Sequence, residues 1–412
     1  MKRLIYFNHG LVQANGQTDP LYLLEKPWLE KHFDHVEVVG ENGCAHLEDT
    51  NENGFYQRAA QFSRLRAAVM VLFQKEVWHE IAHMRRDGKL NWQNLKELLH
   101  FAAQGYRMFL HAKHLLTGHD QVTLYSFWMS FDGYAAALCK KLMPKARFVV
   151  RCHSFDVDIE RIKLNPYLMK QMTIDQADGV YPISQVAKEQ LLSYMKGRMD
   201  ESKLQVLAVG SGGRPLEEPK QAPMYSRGIL RVVSCAMISP NKQIEMLVEA
   251  LAMWEGCPLY WTHIGGGEGL EDLRRMADFK LRHKENVIAE MLGTLEIDDI
   301  LKLYETHAFD VFVNTSRMEG MPISIMEAMH HGTLIVAPSV GGIPELITPE
   351  VGWLYDPEDG AEGVLRALEA VAALTQEEAE EKRQATRDYW KEHCANWTLL
   401  EKLFPDTRPV RR

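Results

Sequence analysis

Asp310-Val311-Phe312-Val313-Asn314-Thr315-Ser316-Arg317-Met318-Glu319-Gly320-Met321-Pro322-Ile323-Ser324-Ile325-Met326-Glu327-Ala328-Met329 reads as an apolar strand that breaks into a polar turn and reopens as a helix. At such a junction the first backbone N–H groups of the helix lack partners and the helix end is positive, so an anion is favoured there. Gly320 suits the tight turn and Pro322 the first helical turn, where its missing N–H costs nothing. The junction is therefore a candidate phosphate site.

The same strand-then-helix rhythm runs along the whole chain. Apolar runs at 4–7, 36–39, 123–125, 148–150, 180–183 and 204–207 alternate with helical stretches, and runs at 230–233, 259–264, 311–313 and 334–337 repeat the pattern. That alternation predicts an α/β protein with parallel sheets and crossover helices. Between the two series, 210–221 is rich in Gly, Pro and charge and reads as a linker. Ile244, Leu247, Val248 and Leu251 recur at spacings of three and four, one buried face of a helix. Thr375 and Glu378 form a capping box that opens a charged helix running past Trp390. The domain expectation is 1–210 for a first doubly wound domain, 211–228 for a linker, 229–385 for a second doubly wound domain, and 386–412 for a C-terminal helix that packs back on the first. Two such domains bind ligands at the carboxyl ends of their strands.

The bulk numbers agree. A chain of 412 residues with 46% apolar content supports two sizeable cores. Its formal charge of −9 argues against general affinity for nucleic acid. Cys44, Cys139, Cys152, Cys235, Cys257 and Cys394 are scattered with no CxxC pair, so neither a disulfide framework nor a zinc knuckle is indicated, and a reducing compartment is expected. The N-terminal apolar run is too short for a signal peptide, and no run of apolar residues is long enough to span a bilayer. The expected location is cytoplasmic, or peripheral on the inner face of the cell membrane.

Glu319 and Glu327 are eight residues apart. On one continuous helix that is a rise of about 12 Å, beyond the roughly 5 to 9.5 Å of a glycosidase carboxylate pair. Different jobs follow, one carboxylate for a ribose diol and one for a sugar, unless Glu319 merely caps the helix and Glu327 is solvated.

The spacing of the two glutamates, with its neighbouring text, resembles the E-x7-E element of family 4 retaining glycosyltransferases. Trp261-Thr262-His263-Ile264-Gly265-Gly266-Gly267 is similar to the strand-to-glycine turn of that family, Leu292-Gly293 precedes a helix at Ile297, and Val340-Gly341-Gly342-Ile343-Pro344-Glu345 follows the element. The resemblance covers nearly all of the second half. It implies a GT-B fold, two Rossmann-like domains facing across a cleft, and a nucleotide-sugar donor, UDP- or GDP-linked. It further implies that Glu327 holds the donor ribose and that Glu319 lies beside the donor sugar. Gly320, Met321, Pro322, Ile323 and Ser324, with Gly265, would line the diphosphate and sugar. Lys242, in Ser239-Pro240-Asn241-Lys242, matches the lysine that neutralises the leaving diphosphate; read alone it is an ordinary lysine at a helix start. The arginine that often stands five residues earlier is Met237 here, so either backbone dipoles suffice or another cation such as Arg317 substitutes.

In the first half, Arg151-Cys152-His153-Ser154-Phe155-Asp156 follows an apolar strand. A lone histidine there is more often structural, but with Tyr125-Ser126-Phe127-Trp128 and Tyr181-Pro182-Ile183-Ser184 the text resembles members that build surface polysaccharides, which implies that His153 faces the donor. The same resemblance places Asn8-His9-Gly10 and Gly16 near the diphosphate and acceptor. Asp156-Val157-Asp158 is a D-x-D triplet, but the lysine and helix start already offer the phosphate a cation and a dipole, so no metal and no other cofactor is expected. His79-Glu80-Ile81-Ala82-His83 satisfies H-E-x-x-H, yet its helix is rich in Arg and Lys and no third ligand follows at a suitable spacing. From 58 to 113, ten basic side chains stand against four acidic ones and interleave with aromatic residues. That pattern fits either an anionic membrane surface or a helix pair with a solvated basic face.

The function expected is metal-independent, retaining transfer of a sugar to a glycan or lipid-linked acceptor in surface polysaccharide synthesis. The competitors are a nucleotide-sugar epimerase of the same fold and a sugar-nucleotide or glycan binding protein that has lost turnover.

Overall fold

The computed structural model describes residues 1–10, 20–40, 43–46, 64–116, 121–157, 168–195, 197–212 and 228–407. They form two compact units, one of 1–208 with 400–412 and one of 209–399.

The first unit is built on β1 (Lys2–Phe7), β2 (His35–Gly40), β3 (Gly43–His46), β4 (Gln121–Ser126), β5 (Arg147–Cys152) and β6 (Gly179–Pro182), in the order β3-β2-β1-β4-β5-β6. All pairs are parallel except β2 with β3, an antiparallel edge that the sequence did not announce. Buried on both faces, the strands are nearly continuous apolar runs. Helices α1 (Pro20–His32), α2 (Arg64–Val71), α3 (Lys75–Arg86), α4 (Trp92–Ala112) and α5 (Phe131–Leu142) belong to this unit. Under the sheet, Tyr125 Oη donates to Glu25 Oε1 at 3.1 Å, and Arg151 donates from Nε to Tyr125 Oη at 2.9 Å and from Nη1 to the Ala208 carbonyl at 2.8 Å. Pairing and hydrogen bonding make this buried charge tolerable. The expected strand at 204–207 reduces to a single bridge from Leu204 to Val180, with Gln205 N and Leu207 N donating to the Val180 and Pro182 carbonyls. Pro182 has no N–H to return, so a full ladder cannot form.

The second unit repeats the plan with β7 (Leu230–Cys235), β8 (Leu259–Ile264), β9 (Val287–Gly293), β10 (Val311–Val313), β11 (Leu334–Pro338) and β12 (Gly352–Tyr355), all parallel, in the order β12-β11-β10-β7-β8-β9. Helix Ile244–Met253 buries Ile244, Leu247, Val248 and Leu251, the expected face. The Thr375 capping box opens helix Gln376–His393.

Two expected boundaries move. The stretch from 386 does not leave the second unit; Trp390 stacks on His330 at 3.9 Å and its Nε1 donates to Ser211 Oγ at 2.9 Å. Only from Leu400 onward does the chain belong to the first unit, where Phe404 packs against Trp28, Phe33 and Tyr125 and the Leu403 carbonyl accepts from Arg147. The expected linker also starts late, because Ser211 pairs with Ala395 inside the second unit; 213–227 lie outside the described residues. Cys139, Cys152, Cys235, Cys257 and Cys394 are free thiols.

Candidate active site

In the second unit the strand order reverses at β7, which has β10 on one side and β8 on the other. Loops leaving the carboxyl ends on either side of such a point diverge and leave a crevice. The loops after β7, β8, β10 and β11 carry Lys242, Gly265, the turn with Glu319, and Gly341.

Hydrogen bonds fix these loops to one another. Ala236 N and Ile238 N donate to the carbonyls of Ile264 (3.0 Å) and Gly266 (2.8 Å), tying the loop after β7 to the glycine turn after β8. The approach is so close that a Cβ on Gly265 would fall 1.9 Å from the Ala236 carbonyl oxygen, and Gly265 has φ +141°. Only glycine fits there. Across the other side, Arg317 N donates to the Asn241 carbonyl at 2.7 Å, Asn241 Nδ2 to the Met318 carbonyl at 3.1 Å, and Thr315 Oγ1 to the Lys242 carbonyl at 2.7 Å. Gly342 N donates to the Gly320 carbonyl at 3.0 Å, and a Cβ on Gly341 (φ +54°) would sit 1.8 Å from the Glu319 carbonyl oxygen.

This frame brings Lys242 and Glu319 together. Lys242 Nζ meets Glu319 Oε1 at 2.5 Å, and Ser316 Oγ donates to the same oxygen at 2.6 Å. Helix Ile323–His330 starts only after this turn, so Glu319 is not on it and the 12 Å rise expected for a continuous helix does not apply. Nor does Glu319 cap the helix: Pro322 is the N-cap and no side chain caps it. Met321, Ile323 and Ser324 are partly accessible at this start, where backbone N–H groups point outward without intrahelical partners. Glu327 lies on the helix itself. Burial pushes its carboxyl up to about 7, and its charge in turn raises the thiol of Cys235 at the end of β7, where burial is the larger cause. Met237 exposes 68% of its surface, and the position carries no charge. The Arg317 side chain is exposed, while its backbone is tied to Asn241.

His153 belongs to the first unit, just past β5. Its Nε2 lies 2.9 Å from the Phe127 carbonyl, which can only accept, so Nε2 carries the proton and Nδ1 the lone pair. The ring packs on Trp128 at 4.2 Å. Burial, with Arg151 nearby, pushes its pKa down to about 3, which keeps the ring neutral. Asp156 Oδ2 accepts from the N–H groups of His153 (2.8 Å) and Met129 (3.2 Å), so this carboxylate of the D-x-D triplet fixes the loop; Asp158 lies outside the described residues. Past β1, His9 Nδ1 lies 2.7 Å from Oδ2 of the buried Asp132, a partner the sequence reading missed because 123 positions separate the two. Gly16 lies outside the described residues. In H-E-x-x-H, His83 Nδ1 is 3.7 Å from Glu80 Oε2, and no cluster of three His, Cys, Asp or Glu suited to a metal occurs among the described residues.

Two doubly wound units, with strand-end loops that hold a lysine, a carboxylate and an uncapped helix start, define the GT-B class. The class is shared with solved structures: the chain aligns over 98% of its length with 98% of Anabaena HepE, described in complex with UDP and glucose, at a TM-score of 0.60 and 15% identity. Residues 230–373, within the second unit, match the family described as Glycosyl transferases group 1. Among curated relatives, a phosphatidylinositol N-acetylglucosaminyltransferase component of Arabidopsis thaliana is 24% identical over 60% of this chain and 56% of its own length. The amylovoran biosynthesis glycosyltransferase AmsK of Erwinia amylovora is 27% identical over 68% of each. The chain thus spans little more than half of the first of these relatives.

Proposed function

We propose that this chain is a retaining glycosyltransferase of the family 4 kind, moving a sugar from a UDP- or GDP-sugar to a glycan or lipid-linked acceptor in surface polysaccharide synthesis, without a metal or other cofactor. The observation that carries the reading is the Lys242–Glu319 pair at 2.5 Å beside an uncapped helix start. The names of the two curated relatives and the UDP and glucose of HepE support the class of donor and acceptor.

In this reading the diphosphate takes the N–H groups at Met321, Ile323 and Ser324 and shares Lys242, drawing the lysine from Glu319. Glu319 is then free to accept hydrogen bonds from the donor sugar, and Glu327 takes the ribose diol. His153, neutral, would accept a sugar hydroxyl at Nδ1. The anomeric C–O bond to the diphosphate breaks and its electron pair leaves with phosphate; the acceptor oxygen bonds to the same face and its proton passes to the leaving diphosphate. A fixed cation where that charge develops lowers the barrier by about 3 to 4 kcal/mol. The partners would be the nucleotide-sugar, the glycan or lipid-linked acceptor and, through 58–113, an anionic membrane surface on the cytoplasmic side. No helix among the described residues is long and apolar enough to cross a membrane.

The test is a panel of UDP- and GDP-sugars, with and without a cell-envelope lipid extract, in EDTA, reading released nucleoside diphosphate. Release should need both donor and extract, vanish in Glu319→Ala, and drop roughly 100- to 1,000-fold in Lys242→Ala. Nucleotide binding with no release from any donor would overturn the reading in favour of a binding protein.

A further inference from the structure

The H-E-x-x-H segment forms no metal cluster among the described residues, yet the helix that carries it walls a cavity of about 510 Å³. One stripe of α3, with Trp78 and Ile81, shares a groove with Trp92 and Leu95 of α4. The stripe with Glu76, Glu80 and His83 turns instead toward α5 and helix Lys170–Gln176, and the cavity lies between them. Both of those elements contribute from their last turns, Lys141 just before β5 and Gln176 just before β6. The cavity therefore lies toward the amino ends of these strands, whereas His9 and His153 follow the carboxyl ends of β1 and β5.

The lining selects an anion that carries hydroxyls. Lys75, Arg86, Lys141 and Arg198 border the cavity against three carboxylates. Two of the carboxylates are engaged: Glu76 Oε1 accepts from Lys141 Nζ at 2.5 Å, and Asp175 Oδ1 accepts from Gln171 Nε2 at 2.9 Å. Burial pushes the third, Glu80, up to about 7 against the pull of Arg198 and Lys170, so near neutral pH its carboxyl donates as readily as it accepts. Lys75 and Arg86 stand about 16 Å apart at the two ends of α3, too far to share one phosphoryl group. The arginine end offers more. Burial, then Arg198 and then Arg86, hold His83 below the ordinary imidazole value, because two guanidinium groups crowd one ring; a dianion there would relieve the crowding and take forked hydrogen bonds from both. Further along the wall, Gln171 Nε2 also donates to the Arg198 carbonyl at 2.7 Å, which fixes the amide and leaves its Oε1 buried with no donor among the described residues. A ligand hydroxyl would supply that missing bond. Met172 apart, the lining is polar, and its volume is that of a small-molecule site rather than of a bare phosphate. The same four cations disfavour a metal ion.

We propose that this cavity is a ligand site remote from the transfer loops, taking a phosphorylated sugar whose phosphoryl group lies between Arg86 and Arg198 and whose hydroxyls meet Gln171 and Glu80. It goes beyond the transferase reading and does not need it. Purified full-length protein is titrated in a calorimeter with glucose 6-phosphate, mannose 6-phosphate, inorganic phosphate and free glucose, at low salt and without nucleotide. A hexose phosphate should bind saturably and more tightly than inorganic phosphate, and glucose should not bind measurably. Arg86→Ser, at an exposed position, should weaken both phosphates roughly 10-fold, and Arg86→Ser/Arg198→Ser should weaken them further. Gln171→Leu should bring the hexose phosphate down to the affinity of inorganic phosphate and leave inorganic phosphate unchanged. Lys242→Ala should alter neither, and unchanged thermal unfolding without ligand shows that each variant is folded. Binding that survives Arg86→Ser but falls in Lys242→Ala puts the ligand in the transfer loops and overturns the proposal. So does a hexose phosphate that binds no more tightly than inorganic phosphate, or no saturable binding of either hexose phosphate. Arg86-dependent binding by a protein that releases no nucleoside diphosphate would keep this proposal and sink the transferase reading, and the reverse result would do the opposite.

Discussion

The loops at the strand ends of the second unit and the α2–α4 face of the first depart from ordinary folding rules in opposite directions. The loops gather a lysine, a glutamate and glycines forced into close backbone approach, partly out of water. The helical face leaves tryptophan and phenylalanine in water. Neither arrangement is the choice of a sequence selected only for a stable core, and such departures are where function is expected. They differ in how tightly the fold specifies them: the loops are held by backbone contacts at specific atoms, whereas the helical face depends on what is left uncovered.

That difference is sharpest at Gly341. An alanine there must escape a carbonyl oxygen 1.8 Å away and also adopt φ +54°, so the turn bearing Glu319 has to move. Gly341→Ala should cost about 3 kcal/mol in urea unfolding and abolish measurable nucleotide binding, while Trp92→Ser should leave the unfolding midpoint within about 0.5 kcal/mol of wild type. If the two variants unfold alike, the contrast between a locked loop and an open face is wrong.

Next in size is Glu327. Its carboxyl titrates near 7 in the folded chain against an ordinary 4.5, so between those values the native state holds a proton that the unfolded chain has released. Stability therefore falls as pH rises from 4.5 to 7 and is level above. Glu327→Gln should match wild type near pH 4.5 and exceed it above pH 7 by about 1 to 3 kcal/mol, toward the lower end because part of the side chain is accessible. Nucleotide binding should run the other way, tightening in wild type as the carboxylate forms and staying flat and weak in the variant. A stability profile with the same slope in both proteins would show that the carboxyl is solvated like any surface glutamate.

What was legible in the sequence follows from how far apart the participants lie. Strand, turn glycine, Pro322 and helix fall within twenty contiguous residues, so local turn chemistry revealed the helix start. Lys242 and Glu319 are 77 positions apart, and residue spacing gave no sign that they touch; the lysine stood out only through the resemblance to a family. Ser316 lies in the same stretch, but a serine three residues before a glutamate is too commonplace to signal its bond to Glu319. For the helices, charge and amphipathic character were readable, but burial of Leu98 and exposure of Trp92 on one helix depend on which neighbours pack where. The C-terminal boundary slid from 386 to 400 because the long helix after Thr375 carries Trp390, whose stacking on His330 keeps it with the second unit.

The smallest expected effect tests the opposite error, a pattern with chemistry written in it that the fold does not use. A zincin needs both histidines of H-E-x-x-H on one ion with the glutamate free to activate water. Here Glu80 is buried; desolvation lifts its pKa to about 7, with Arg198 and Lys170 pulling the other way, and His79 is exposed. Glu80 is thus placed to interact with cations of its own unit. His79→Ala should leave unfolding within about 0.5 kcal/mol of wild type, as for a surface substitution, and nucleoside diphosphate release in EDTA unchanged. Stoichiometric zinc in the purified protein that disappears with His79 would reverse this. It would also mean that the helix carrying the motif can turn Glu80 outward, at the cost of the basic partners that now surround it.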